Sequence, residues 1–166
     1  MKLKCLAIAL ILTAVPLHAA HASNPMLLLN QSDLNQLAVI ETTGNANLLV
    51  IVQQSAAAEA GNRINVSIVG DGNGGPEGRN FSGQPAELGL TPGNLTQIGF
   101  GNAIEVTVTG ERNLFAVAQL GNSNTVRAAI TGSHNQAAVM QTGVGNFTSI
   151  AQSGVGNSIS VQQTTW

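Results

Sequence analysis

The sequence predicts an all-β fold, a β-solenoid of roughly 22-residue coils in which each coil holds two strand-turn units of 11 residues. Two observations carry this prediction. Asn recurs every eleven residues at Asn102, Asn113, Asn124, Asn135, Asn146 and Asn157, and Gly recurs in the same step at Gly99, Gly110, Gly121, Gly132, Gly143 and Gly154. Within each unit, side chains two and four positions after the Asn are mostly apolar, as at Ile104 and Val106 or Ala137 and Val139, with smaller or polar residues between them. A period of two is the signature of a half-buried strand, not of a helix. A fixed internal repeat points to a stacked architecture before any other feature is weighed.

From the N-terminus, residues 1–22 have the layout of a secretory signal peptide. Lys2 and Lys4 precede the apolar run Cys5 to Val15, and Ala20-His21-Ala22 is a small-x-small site, so cleavage is expected after Ala22. The run is short for a membrane span of ~20 residues. Residues 23–34 form a mature N-terminal segment. Residues 35–73 hold irregular copies of the repeat: Asn35-x-Leu37-x-Val39-x-Glu41, Asn47-x-Leu49-x-Ile51-x-Gln53 and Asn62-x-Ile64-x-Val66-x-Ile68, with Ser55 to Gly61 as a widened turn. Residues 74–93 are rich in Gly and Pro and read as an insertion loop, with a poor strand near Leu95 to Gln97. Residues 94–166 are regular copies.

The glycines suit turns that need positive φ. The Asn of each unit shares parity with the apolar residues, so it points inward at a corner. Gln97, Gln119, Gln141 and Gln163 share that parity in a step of 22, while Gln152 interrupts the alternation. Stacked one strand spacing apart, such amides can bond to the copies above and below. These Asn and Gln residues are the candidate stacking and assembly positions, and the six glycines the candidate turn positions.

Without residues 1–22 the chain keeps four basic residues (6 − 2), Arg63, Arg79, Arg112 and Arg127, against eight acidic ones, a net charge of −4. Four scattered arginines do not make the clustered cationic surface that binds phosphate backbones, so no nucleic-acid partner is expected. The one cysteine, Cys5, lies in the leader, so no disulfide framework is expected. One histidine, His134, remains, which leaves no zinc site and no Ser-His or Cys-His pair to build. Asp71-Gly-Asn73-Gly-Gly75 opens like a calcium loop, but Ser82 stands where a bidentate Glu is needed. No enzymatic activity, cofactor or metal is expected.

The pattern Gln-x-Gly-x-x-Asn-x-Ala-x-Val-x-Gln, carried most fully by Gln119 to Asn124 and by Ala137, Val139, Gln141, Gly143 and Asn146, resembles the curlin repeats of bacterial curli fibre subunits. The resemblance is good over Asn102 to Trp166 and loose over Asn35 to Asn73. The Ser that precedes each Gln in that family is not regular here, and the middle insertion is unusual. The resemblance implies a secreted, extracellular functional amyloid at the cell surface, assembling with itself and with other curlin subunits into adhesive biofilm fibres. It also implies export through an outer-membrane curli pore with accessory factors, contacts with host matrix or surfaces, and a role as either major subunit or nucleator. Two other classes fit a secreted solenoid: a carbohydrate-active β-helix enzyme, which calls for clustered Asp, Lys or His, and a carbohydrate- or ice-binding protein. Ice binding calls for a continuing Thr-x-Thr row, of which Thr107 and Thr109 make one pair.

Overall fold

A computed structural model describes residues 9–14, 26–32, 36–55, 61–75 and 78–166. Two six-stranded parallel sheets face each other across an apolar core. Sheet A stacks β1 (Ala9–Ala14), β3 (Leu37–Thr43), β5 (Arg63–Val69), β7 (Ala103–Glu111), β9 (Thr125–Ser133) and β11 (Phe147–Val155). Sheet B stacks β2 (Met26–Ser32), β4 (Leu48–Gln54), β6 (Asn94–Ile98), β8 (Leu114–Asn122), β10 (Gln136–Val144) and β12 (Ser158–Thr164). Successive strands alternate between sheets, so two consecutive strands make one coil and the chain climbs about six turns of ~22 residues. The expected β-solenoid is the fold.

The period-two pattern decides which side chains fill it. Ile104, Val106 and Val108 of β7 face Phe115 and Val117 of β8 in one continuous core, with alternate residues outside. The regular strands run nine residues, through the Gly, leaving two corner residues between strands. Gly121 shows why Gly is needed there. Its φ is 118°, and a Cβ would lie 2.1 Å from the carbonyl oxygen of Gly143 in the next coil. The corner therefore fails on two counts with any side chain.

The first irregular copy is in a different register from the sequence expectation. The inward residues of β3 are Ala38 and Ile40, both fully buried, with Gln36 at the corner; Leu37 and Val39 are on the outer face. Asn35 lies outside the described residues. The reason is Gln36, whose Oε1 accepts the backbone N–H of Asn62 at 3.2 Å and so occupies the corner position. A one-residue shift turns every side chain to the other face. Asn47 and Asn62 keep their expected registers, with Leu49, Ile51, Ile64 and Val66 buried. Most of the widened turn after Ser55 lies outside the described residues. Within residues 1–22, Ala9–Ala14 pairs with β3 as the end strand of sheet A, and β2 forms in the segment for which the sequence predicted no strand.

The insertion leaves from inside a strand, not from a turn. Gly74 bridges Leu48 and Leu114 in sheet B, and the backbone N–H of Gly93 bonds Phe115 O at 2.7 Å. The corner step from Asn73 to Asn113 is 40 residues, so 18 (40 − 22) are inserted between two adjacent strand positions. β6 then resumes as a strand, Asn94–Ile98, at five residues the shortest among the described strands, and pairs with β4 and β8. The excursion folds back over the outer face of sheet B. Phe81 packs with Leu114, Ala116 and Ala138, joined by Leu88 and Leu90, and the one-turn helix α1 (Gln84–Glu87) lies beside β10 and β12.

Two glycine substitutions separate conformational strain from coil contact. Gly145→Ala has open space around its Cβ at φ 72° and is expected to cost about 1–2 kcal/mol, the price of a left-handed residue. Gly121→Ala adds the overlap with Gly143 and is expected to cost about 2–5 kcal/mol in total, read as the shift in a denaturant unfolding curve.

Candidate functional site

The corners of the coil carry columns of buried amides. One column runs Asn47, Asn73, Asn113, Asn135 and Asn157. Its chemistry is the same at each level. The backbone N–H and Nδ2 of Asn135 donate to the Oδ1 of Asn113 in the coil before, at 3.1 and 3.0 Å, and Nδ2 also donates to Gly154 O in the coil after, at 3.0 Å. The opposite corner stacks Gln36, Asn62, Asn102, Asn124 and Asn146 in the same way. Each interior Asn, from Asn62 to Asn146, thus ties three coils together. The Asn at 102, 113, 124 and 135 is at most 1% exposed, and only Asn157 in the last coil is open to solvent.

Sheet B adds a glutamine column of Gln31, Gln53, Gln97, Gln119, Gln141 and Gln163. From Gln53 onward each Nε2 donates to the next Oε1 at 2.9 Å. It also reaches across the core, as Gln119 does to Ala103 O of sheet A at 3.1 Å. Four predicted glutamines therefore meet in one ladder, and Gln152 does not. It lies in sheet A, where β9 places Ile130 and β7 places Val108. Its Nε2 donates to Gln136 O at 3.1 Å, and its Oε1 is buried without a partner. Gln31 and Gln36 were missing from the predicted set. A step of 22 back from Gln53 finds Gln31; Gln36 has no such signal, because four extra residues separate it from Asn62.

The ladders are directional. In the Asn columns the acceptor oxygen faces the following coil, and in the Gln column the donor does. Among the described residues no strand pairs with the outer edges of β11 and β12. At the other end, Gln36 Nε2 and Thr42 Oγ1 are buried and unpartnered although β1 lies beside β3.

Elsewhere, Arg79, Arg112, His134 and Gly72 line an open groove of about 420 Å³, and Arg79 Nη1 is buried without a partner. The Asp71 carboxylate accepts the Asn45 N–H at 2.7 Å, and Asn73 is committed to its corner column, so the two side chains that begin the calcium-like motif are occupied. Among the described residues no three His, Cys, Asp or Glu cluster as metal ligands.

Removing one corner amide should leave several groups unpaired. Asn124→Ala strands the N–H of Asn146 and the carbonyl of Gly143, an expected loss of about 2–4 kcal/mol at ~1–3 per buried group. Ser158→Ala, on the outer face, should change stability by less than about 0.5 kcal/mol. Equal unfolding midpoints for the two variants would reduce the corner Asn to a turn former. No family model, curated protein or solved structure matches the chain.

Proposed function

We propose that the chain is a secreted structural subunit, or nucleator, of a curli-like extracellular amyloid fibre that serves surface adhesion and the biofilm matrix. Its work is self-assembly by β-strand addition at the ends of the solenoid, a structural role and not a catalytic one. The observation that carries this reading is the match between the two ends. The sheet registers connect Leu37 through Arg63, Ala103 and Thr125 to Phe147, and Ile51 through Leu95, Val117 and Val139 to Val161. The same step taken once more sets β3 and β4 of a second copy on β11 and β12 of the first.

That joint answers the orphaned groups. Thr42, whose hydroxyl has no partner, faces Gln152, whose Oε1 has none. Gln36, with a free Nε2, faces Asn146, whose column presents an acceptor oxygen to the next coil. Asn47 continues the column at Asn157, Gln53 continues the glutamines at Gln163, and Ile40 lands on Ile150. Burying a polar group unpaired costs about 1–3 kcal/mol, so each such pair favours the joined state. An end strand with unpaired N–H and C=O groups is also a template for another chain. The joint requires the edges of β3 and β4 to be free. β1 leaves with residues 1–22 if the leader is removed, and β2 must then swing away.

The chain starting at Ser23 is expected to form dye-binding fibres with diffraction spacings of ~4.7 and ~10 Å. Protein still monomeric after days at tens of micromolar, roughly where exposed edges aggregate, would sink the proposal. The joint has its own test. Thr42→Val and Gln152→Leu remove groups that lack full partners in the single copy, so each should change the unfolding free energy by less than about 1 kcal/mol. Both should slow elongation from preformed wild-type seeds. Wild-type rates would place the joint elsewhere.

A further inference from the structure

We propose that the outer face of sheet B is a second self-association surface, for the same face of another copy, and that residues 78–93 are a built-in cover withholding it. This rests on the fibre reading. It concerns lateral pairing of filaments, not their growth.

The two outer faces differ in chemistry. Sheet A turns out Arg63, Glu105, Thr107, Arg127 and Ser149, including an Arg127–Glu105 ion pair at 3.5 Å. Sheet B turns out Val50 and Val52 on β4, Leu114, Ala116 and Ala118 on β8, and Ala138 on β10, with the polar Asn94 and Thr96 between them on β6 and a wholly polar outer row on β12. Parallel register stacks Ala138 on Ala116, so the patch over β8 and β10 is flat and apolar. Flat faces of small side chains are what face-to-face sheets need to approach within ~10 Å. With β2 displaced, the five remaining strands of about seven residues present roughly 550 Å² per copy. Two stacked copies therefore exceed the ~800 Å² each partner buries in a stable interface.

The insertion is built to sit on that face. Phe81, Pro85, Leu88 and Leu90 are buried or half-buried, while Asn80, Gln84 and Glu87 are exposed. Two hydrogen bonds peg it: the Ser82 N–H donates to Gln136 Oε1 at 2.8 Å, and Gln136 Nε2 donates to Ser82 Oγ at 2.7 Å. Beneath it, Leu114, Ala116 and Ala138 are at most 3% exposed, so the cover replaces water over the face. Because the excursion leaves and rejoins within one strand of sheet B, it cannot drift to sheet A. Every copy in a filament carries its own cover.

The triple variant Phe81→Ser, Leu88→Ser, Leu90→Ser should free the cover without shortening the chain. Filament mass per length, measured by electron microscopy, is expected to double relative to wild type. Adding Ala116→Glu and Ala138→Glu to that variant should restore single filaments. Wild-type mass per length in the triple variant overturns the proposal, as does pairing that survives the two glutamates. Deletion of residues 75–92, which restores the 22-residue step, is the parallel variant should the triple variant lose its β-sheet circular dichroism. If neither wild type nor variant makes filaments, the fibre reading fails alone. Sedimentation of the soluble proteins at high concentration then decides the cover: weak, concentration-dependent dimerisation of the variant alone supports it, and no difference between variant and wild type overturns it.

Discussion

The requirement that a buried amide find its twin one strand spacing away organises this molecule. A corner Asn is fully desolvated, and its oxygen and both its N–H donors are used by neighbours in other coils. None of those partners exists within the 11-residue unit itself. A unit is therefore incomplete alone and satisfied only in a stack, which couples local sequence to a solenoid. Since the same atoms recur at each level, the bonds also fix register: a slip of one residue would bury the wrong face and break both corner columns.

Glycine makes the stack possible at the other side of the corner. The amide columns draw successive coils to hydrogen-bonding distance, and at that distance the backbone of one Gly nearly touches the carbonyl of the next. Positive φ and the missing side chain thus answer one geometric demand. The sequence can vary between these fixed points, and it does: offset-six positions hold Gln in sheet B and Val108, Ile130 or Gln152 in sheet A. The Gln ladder of sheet B reaches across to carbonyls at the start of the sheet A strands, and Gln152 makes the reverse reach, to Gln136 O of sheet B.

The insertion shows how tolerant this scheme is. Eighteen extra residues enter between neighbouring positions of a strand, and the column above and below continues undisturbed, with Asn113 still bonded to Asn73. Gly74 and Gly93 hold the two ends of the interrupted rung. What the excursion contributes lies outside the core, over an apolar patch that a plain solenoid would leave in water.

The repeat by itself determined the fold class, the 22-residue coil, the inward set of the regular strands, and the burial of Asn102 through Asn146. Those follow from periodicity, which is a local property of the chain. Tertiary structure decided what depends on which coil lies above which. It chose Gln36 over Asn35 at the first corner, because only the partner Asn62 distinguishes them. It separated Gln152 from the glutamine ladder, because membership is set by the sheet a residue falls in and not by its spacing alone. It also laid Phe81 on Ala116 and Ala138, a contact between segments whose sequence distance carries no period. Periodic order can be read along one dimension; a contact between a non-repeating loop and a repeating face exists only once the coil has closed.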